Sequence, residues 1–202
     1  MNIALYNQFK QSVYDLADKL PQWNTEQYDR KFTAAVSSMF EELGEISGLI
    51  SKYRTRTDKH GTDFYNTLVK DIPAETLYTI KNKFIDEAGD AIWILTTACH
   101  IFANESIGIF SRFIMAKENN IDISLEDALF STIGSVYVLY TSTKFEDNNI
   151  GRCLNDIADS FGLFLVKLEE TYGITLDEIL IHNMEKLGVR YDNDGKRIDG
   201  KL

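Results

Sequence analysis

Three observations predict an all-α fold, a bundle of long helices. Only two prolines, Pro21 and Pro73, interrupt the 202 residues, so helices are permitted almost throughout. Apolar residues recur at helical spacing over 25–56 and 74–103, the signature of a helix with one buried stripe. Strand signals are sparse, with no Asn-Gly turn between alternating runs.

In chain order, helices are expected at 3–19, 25–56, 74–103, 106–119, 124–146, 150–171 and 176–188. Ser124 precedes Asp127 by three residues and Thr175 precedes Glu178 by three, both spacings of a capping box. Gly173 and Gly188 stand where helices should stop. The stretch from Lys52 to Pro73 is polar, carries Lys52, Arg54, Arg56, Lys59 and Lys70 around His60-Gly61, and reads as a helix end running into a loop. The tail 192–202 is polar and glycine-containing, and is expected to be mobile unless a ligand orders it.

The composition suits one globular domain spanning 1–202, or two repeated halves within it: 44% of residues are apolar, enough for a core. Thirty-one acids against 21 bases give a net charge of −10, which argues against a nucleic-acid backbone as the main partner. A small phosphorylated ligand remains compatible if its charge is met locally. The mostly apolar run Ala91–Ala103 contains Thr96, Thr97 and His100 and is too short to span a bilayer. The start of the chain lacks a basic and apolar leader. Cys99 and Cys153 are isolated, so neither a disulfide framework nor a zinc site is expected, and both should pack as small apolar residues. The expectation is a cytoplasmic protein with no membrane partner.

Carboxylates stand where the helices should be apolar. Helix 25–56 has an apolar arc of Ala35, Val36, Met39, Phe40, Leu43, Ile46, Leu49 and Ile50; Glu42 falls inside it and Glu45 just outside its edge. In helix 74–103, Glu87 lies in the middle of the arc formed by Phe84, Ala88, Ala91, Ile94, Leu95 and Ala98, and Asp90 flanks the same edge. An ionised carboxylate in a bundle interior is costly unless paired or bound to a metal. A hard divalent cation accepts oxygen ligands and keeps waters that a phosphate can replace, so two acidic pairs on facing helices make a Mg²⁺ site. The competing reading is a solvated acidic face neutralised by Lys52, Lys81 and Lys83. A di-iron carboxylate bundle would need Glu-x-x-His pairs, and none of His60, His100 or His182 follows a Glu by three.

The stretch Phe40-Glu41-Glu42-Leu43-Gly44-Glu45-Ile46, followed by Ile85-Asp86-Glu87-Ala88-Gly89-Asp90-Ala91-Ile92-Trp93, resembles the E-x-x-E … E-x-x-D signature of the all-α nucleoside triphosphate pyrophosphohydrolases, the MazG-like and dimeric dUTPase superfamily. Asn183-Met184-Glu185-Lys186-Leu187 with Arg190-Tyr191 resembles that family's closing helix. The resemblance covers most of residues 25–191. It implies that Glu42, Glu45, Glu87 and Asp90 hold Mg²⁺, with Mn²⁺ as a substitute, and that a glutamate, Glu42 or Glu45, assists water attack. It also implies a nucleoside triphosphate substrate, dUTP or dCTP among the candidates, and a homodimer. Glu41 is a further acid that could assist, although its place opposite the apolar arc equally suits solvent.

Asn183, Lys186 and Arg190, at i, i+3 and i+7, suit sugar or phosphate contacts; a plain polar stripe is the competing reading. Trp23, Tyr28 and Phe32 could stack on a base, with Gln22 or Asn24 reading its edge, though aromatics at such spacing also serve as core. The 41 residues between Glu45 and Glu87 exceed the family's usual gap. The excess falls in 52–73, where Lys52, Arg54 or Arg56 could touch phosphate.

A shift of 90 places Met39, Phe40, Leu43, Gly44, Ile46 and Leu49 on Leu129, Phe130, Ile133, Gly134, Val136 and Leu139, with Glu42 and Glu45 on Thr132 and Ser135. A shift of 69 places Glu87 and Asp90 on Asp156 and Asp159. This reads as a tandem duplication, a first copy over 25–119 and a degenerate second over 124–191. Two alternatives stand beside the hydrolase: a phosphoribosyl-ATP pyrophosphohydrolase, and a non-catalytic helical interaction module that kept the fold.

Overall fold

In the computed structural model the described residues are 2–55, 71–102, 108–142, 150–192 and 194–199. They form an all-α bundle of seven helices: α1 Ile3–Ala17, α2 Tyr28–Thr55, α3 Ala74–Phe102, α4 Ile109–Asn119, α5 Leu125–Ser142, α6 Ile150–Tyr172 and α7 Leu176–Arg190. The expected loop over 56–70 and the last residues of the tail lie outside the described residues.

Local chemistry explains the ends. Asn2 caps α1 by accepting from the N–H groups of Ala4 and Leu5. Thr175 and Glu178 complete a reciprocal capping box on α7, and the Asp127 N–H donates to Ser124 Oγ at 3.0 Å ahead of α5. Such caps contribute about 1 kcal/mol each. Gly173 adopts a φ of +66° after α6, the left-handed stop that glycine favours. Gly188 does not end α7 as expected. The helix continues to Arg190, and Tyr191 leaves it in extended backbone to bridge Arg197.

α3 is the centre of the bundle, packed against α1, α2, α6 and α7. It is therefore buried beyond the single arc expected of it, with Ile80, Ile92, Thr96 and Cys99 added to Phe84, Ala88 and Ala91. Cys99 and Cys153 are both buried and free, and burial pushes the Cys99 thiol up to about 12.

The two halves exchange their outer helices. α2 packs on α3 and α5 on α6, while α2 also meets α5 and α3 meets α6. α4, which follows α3, packs on α6; α7, which follows α6, packs on α3. The α4–α6 and α7–α3 contacts correspond to one another when α2, α3 and α4 are matched with α5, α6 and α7.

Side-chain pairs repeat it. Arg112 of α4 reaches Asn155 at 2.7 Å and Asp159 at 3.1 Å on α6. A shift of 69 relates those two positions to Asp86 and Asp90 of α3, which Lys186 of α7 bridges. At the α4–α6 crossing, a Cβ on Gly162 would lie 2.9 Å from the Arg112 carbonyl carbon, so only glycine permits that approach.

Candidate metal centre

Carboxylate oxygens of Glu42, Glu87 and Asp90 all lie within 4.8 Å of one another, Glu42 from α2 and the other two from α3. The antiparallel contact of two long helices brings them together at their apolar seam. Leu43 and Ile46 on one side and Ala88 and Ala91 on the other are buried beside them. All three acids are half-buried. Their oxygens could hold a divalent cation, and an all-oxygen donor set suits a hard ion.

Burial and mutual repulsion oppose full ionisation of the set. Burial, then the charges of Asp90, Glu45 and Glu87, pushes Glu42 up to about 8. Burial and the adjoining Glu45 carboxyl, with which it shares a hydrogen bond, push Glu87 up to about 7. Glu45 is exposed and is not one of the three clustered acids; it stands at the edge of the set against Glu87.

α7 supplies the cationic side. Lys186 Nζ donates to Asp86 and to Asp90 Oδ2, the latter at 2.5 Å. Asn183 Nδ2 donates to Asp90 Oδ1 at 3.1 Å, and Arg190 stands 3.9 Å from Asp90. The three residues expected at i, i+3 and i+7 therefore all reach the acid-bearing helix. Asn183 is 1% exposed, and its Oδ1 has no partner among the described residues. It sits over Gly89, where a Cβ would come within 3.1 Å of the Asn183 side chain.

Asp86 was given no role by the sequence pattern. Burial opposes its charge, but hydrogen bonds from Lys186 and His182 outweigh that and hold it below the usual carboxylate range. Its spacing of four from Asp90 was the available signal, because i and i+4 share a helix face.

The remaining sequence candidates fall elsewhere. Trp23 is 4% exposed in the core, with its indole N–H unpartnered among the described residues. Tyr28 and Phe32 pack edge-on against Phe102 at 5.5 and 6.0 Å. Gln22, Asn24 and Glu41 are exposed. Lys52 is exposed on α2 and its Nζ lies 5.8 Å from the Tyr53 ring centre; the Arg54 side chain and Arg56 lie outside the described residues. At the second-copy positions, Thr132 is buried and bonds back to the Ala128 carbonyl, and Asp159 is paired with Arg112.

Comparison with family models, curated proteins and solved structures finds no match.

Proposed function

We propose that the protein is a Mg²⁺-dependent nucleotide pyrophosphohydrolase, cleaving the α–β phosphoanhydride of a nucleoside triphosphate to give the monophosphate and pyrophosphate. The observation that carries this reading is the convergence of three carboxylates within 4.8 Å, with Asn183, Lys186 and Arg190 of a third helix reaching the same helix face. Glu42, Glu87 and Asp90 would hold the cation, and Glu45 would complete the set from its edge. Bound there, Mg²⁺ or Mn²⁺ would supply Lewis acidity toward phosphate oxygens and toward water.

The chain's own groups do the rest. Glu45, exposed and outside the clustered three, would take a proton from attacking water on its carboxylate. Lys186 and Arg190 both reach Asp90 and can turn from it to phosphate oxygens, and the Asn183 Oδ1, without a partner among the described residues, can accept from a sugar hydroxyl or a base N–H. dUTP and dCTP are the first substrates to try, and a homodimer is the expected assembly.

The test is pyrophosphate release from a panel of dNTPs and NTPs, with Mg²⁺ and with EDTA, on the native chain and on Glu87→Gln. Metal-dependent release lost in the variant supports the reading. Absence of release from every nucleotide, with both proteins folded, sinks it. One observation favours a second reading: Lys186 already pairs Asp86 and Asp90 internally, as it would in a helical interaction module without turnover. Such a module would show no Mg²⁺-dependent rise in thermal stability.

A further inference from the structure

Both oxygens of Asp90 are already engaged. Asn183 Nδ2 donates to Oδ1 at 3.1 Å, and Lys186 Nζ donates to Oδ2 at 2.5 Å. A cation held by Glu42, Glu87 and Asp90 must therefore meet one of these donors. Asn183 is poorly placed to yield, because it is 1% exposed and its side chain lies over Gly89. Lys186 sits on a flexible stem and bridges to a second carboxylate, Asp86. Asp86 lies outside the clustered three, and its side chain is 41% exposed, so solvent helps it to stay charged. Arg190 stands farther off, 3.9 Å from Asp90 Oδ2, and is more exposed than Lys186. An ammonium and a divalent ion on one carboxylate oxygen repel each other. The bond from Lys186 to Asp90 is thus the contact that opposes a cation.

The second half supplies a contrast. The shift of 69 pairs Asp86 with Asn155 and Asp90 with Asp159. Arg112 meets Asp159 at 3.1 Å and Asn155 at 2.7 Å, so of those two partners only one is a carboxylate. The half whose acids cluster is the half in which the cation has a second carboxylate to hold.

We propose that Lys186 is a built-in counter-cation of the carboxylate cluster, competing with a divalent cation for Asp90 and retiring onto Asp86. Asp86 is then a positioning residue, which keeps the displaced ammonium beside the site. The inference rests on the metal-centre reading of Glu42, Glu87 and Asp90 and adds a coupling to it. An anionic group that draws Lys186 off Asp90 raises the affinity for the cation, and the cation raises the affinity for that anion by the same factor.

The probe is Mn²⁺ alone, titrated by calorimetry at pH 8 against chains whose helical circular dichroism is intact. Lys186→Met should tighten Mn²⁺ binding by about tenfold or more, the usual scale of coupling between sites. Asp86→Asn leaves the lysine only Asp90 and should weaken binding by a similar factor. In the Lys186→Met background the same change at Asp86 should matter little, because Asp86 acts through the lysine. A further measurement needs no variant to fold. On the native chain, Mn²⁺ should speed acetic anhydride labelling of Lys186 several-fold by peptide mass spectrometry. Lys117, which pairs with Glu169, serves as the unchanged reference. Folded Lys186→Met that binds Mn²⁺ no tighter than the native chain overturns the proposal and leaves the metal centre standing. Level labelling of Lys186 in a native chain that binds Mn²⁺ does the same, and Lys186 is then only a tie between α7 and α3. Equal weakening by Asp86→Asn in both backgrounds overturns the positioning role, since the Asp86 charge would act on the ion directly. Absence of Mn²⁺ binding in every chain, native and variant, overturns the metal centre and this inference with it.

Discussion

Glu42 is held near pH 8 and Glu87 near pH 7, burial being the first cause and neighbouring carboxylates the second. Both values lie above the roughly 4.3 of a free glutamate. Between about 4.3 and the folded values, the native chain binds more protons than the unfolded one, so metal-free stability falls as pH rises through that window. A thermal melt in EDTA at pH 5.5 should therefore exceed one at pH 8. Mg²⁺ must displace those protons, so its affinity should rise from pH 6.5 to 8.5 by calorimetry. Glu42→Gln removes one acid from the cluster. It should raise the metal-free Tm at pH 8 by a few degrees, at about 2–4 °C per kcal/mol relieved, and remove most of the rise that Mg²⁺ causes. A variant with unchanged metal-free Tm and a full Mg²⁺ response would show that Glu42 is not a ligand. Glu42 and Glu87 could be picked out in the sequence because a carboxylate inside an apolar arc has few physical explanations. The Lys186–Asp86 pair could not, because which residues of α7 meet which of α3 depends on the register between two helices far apart in sequence.

At the scale of elements, the α3–α7 crossing positions the polar side of the site, and two glycines test it in opposite directions. A Cβ at Gly89 would press within 3.1 Å of Asn183. Gly89→Ala gains about 1 kcal/mol of helix propensity but must displace Asn183. Its Tm should thus change little while pyrophosphate release drops about tenfold or more, given the sensitivity of positioning groups to small displacements. Gly188 also lies within α7, and a Cβ there would meet nothing within 4 Å. Gly188→Ala should raise stability by up to about 1 kcal/mol in urea unfolding and leave turnover intact. Equal effects of the two substitutions would contradict the crossing. Helix positions were legible from proline scarcity and caps, and α3, α4, α6 and α7 fall close to their expected spans. Gly188 misled because a glycine signals a stop only when the chain beyond it turns into the left-handed region, as it does at Gly173; here the exit is made by the extended Tyr191.

Across the whole molecule, α4 packs on α6 and α7 packs on α3, the arrangement the proposed pair of copies would have, one retaining acids and the other filled from within. The shifts of 90 and 69 were visible in the sequence, but Arg112 was not. It lies in α4, outside both aligned stretches, and only packing brings it to Asn155 and Asp159. Thr132, which the shift of 90 pairs with Glu42, turns its hydroxyl to its own helix, while the Arg112 guanidinium meets Asp159. Among the described residues the second half shows no cluster of carboxylates that could hold a metal. Asp159 is 52% exposed on its side chain, so solvent screens the pair, and Arg112→Ala should cost only about 1 kcal/mol in urea unfolding. The Mg²⁺-induced rise in Tm should be unchanged in that variant, because the ion would be held by Glu42, Glu87 and Asp90 of the first half. At a hundredfold excess over its dissociation constant, that rise corresponds to about 2.7 kcal/mol in both proteins. If Arg112→Ala lowered the response as far as Glu42→Gln does, the two halves would share a single metal site and the division between them would fail.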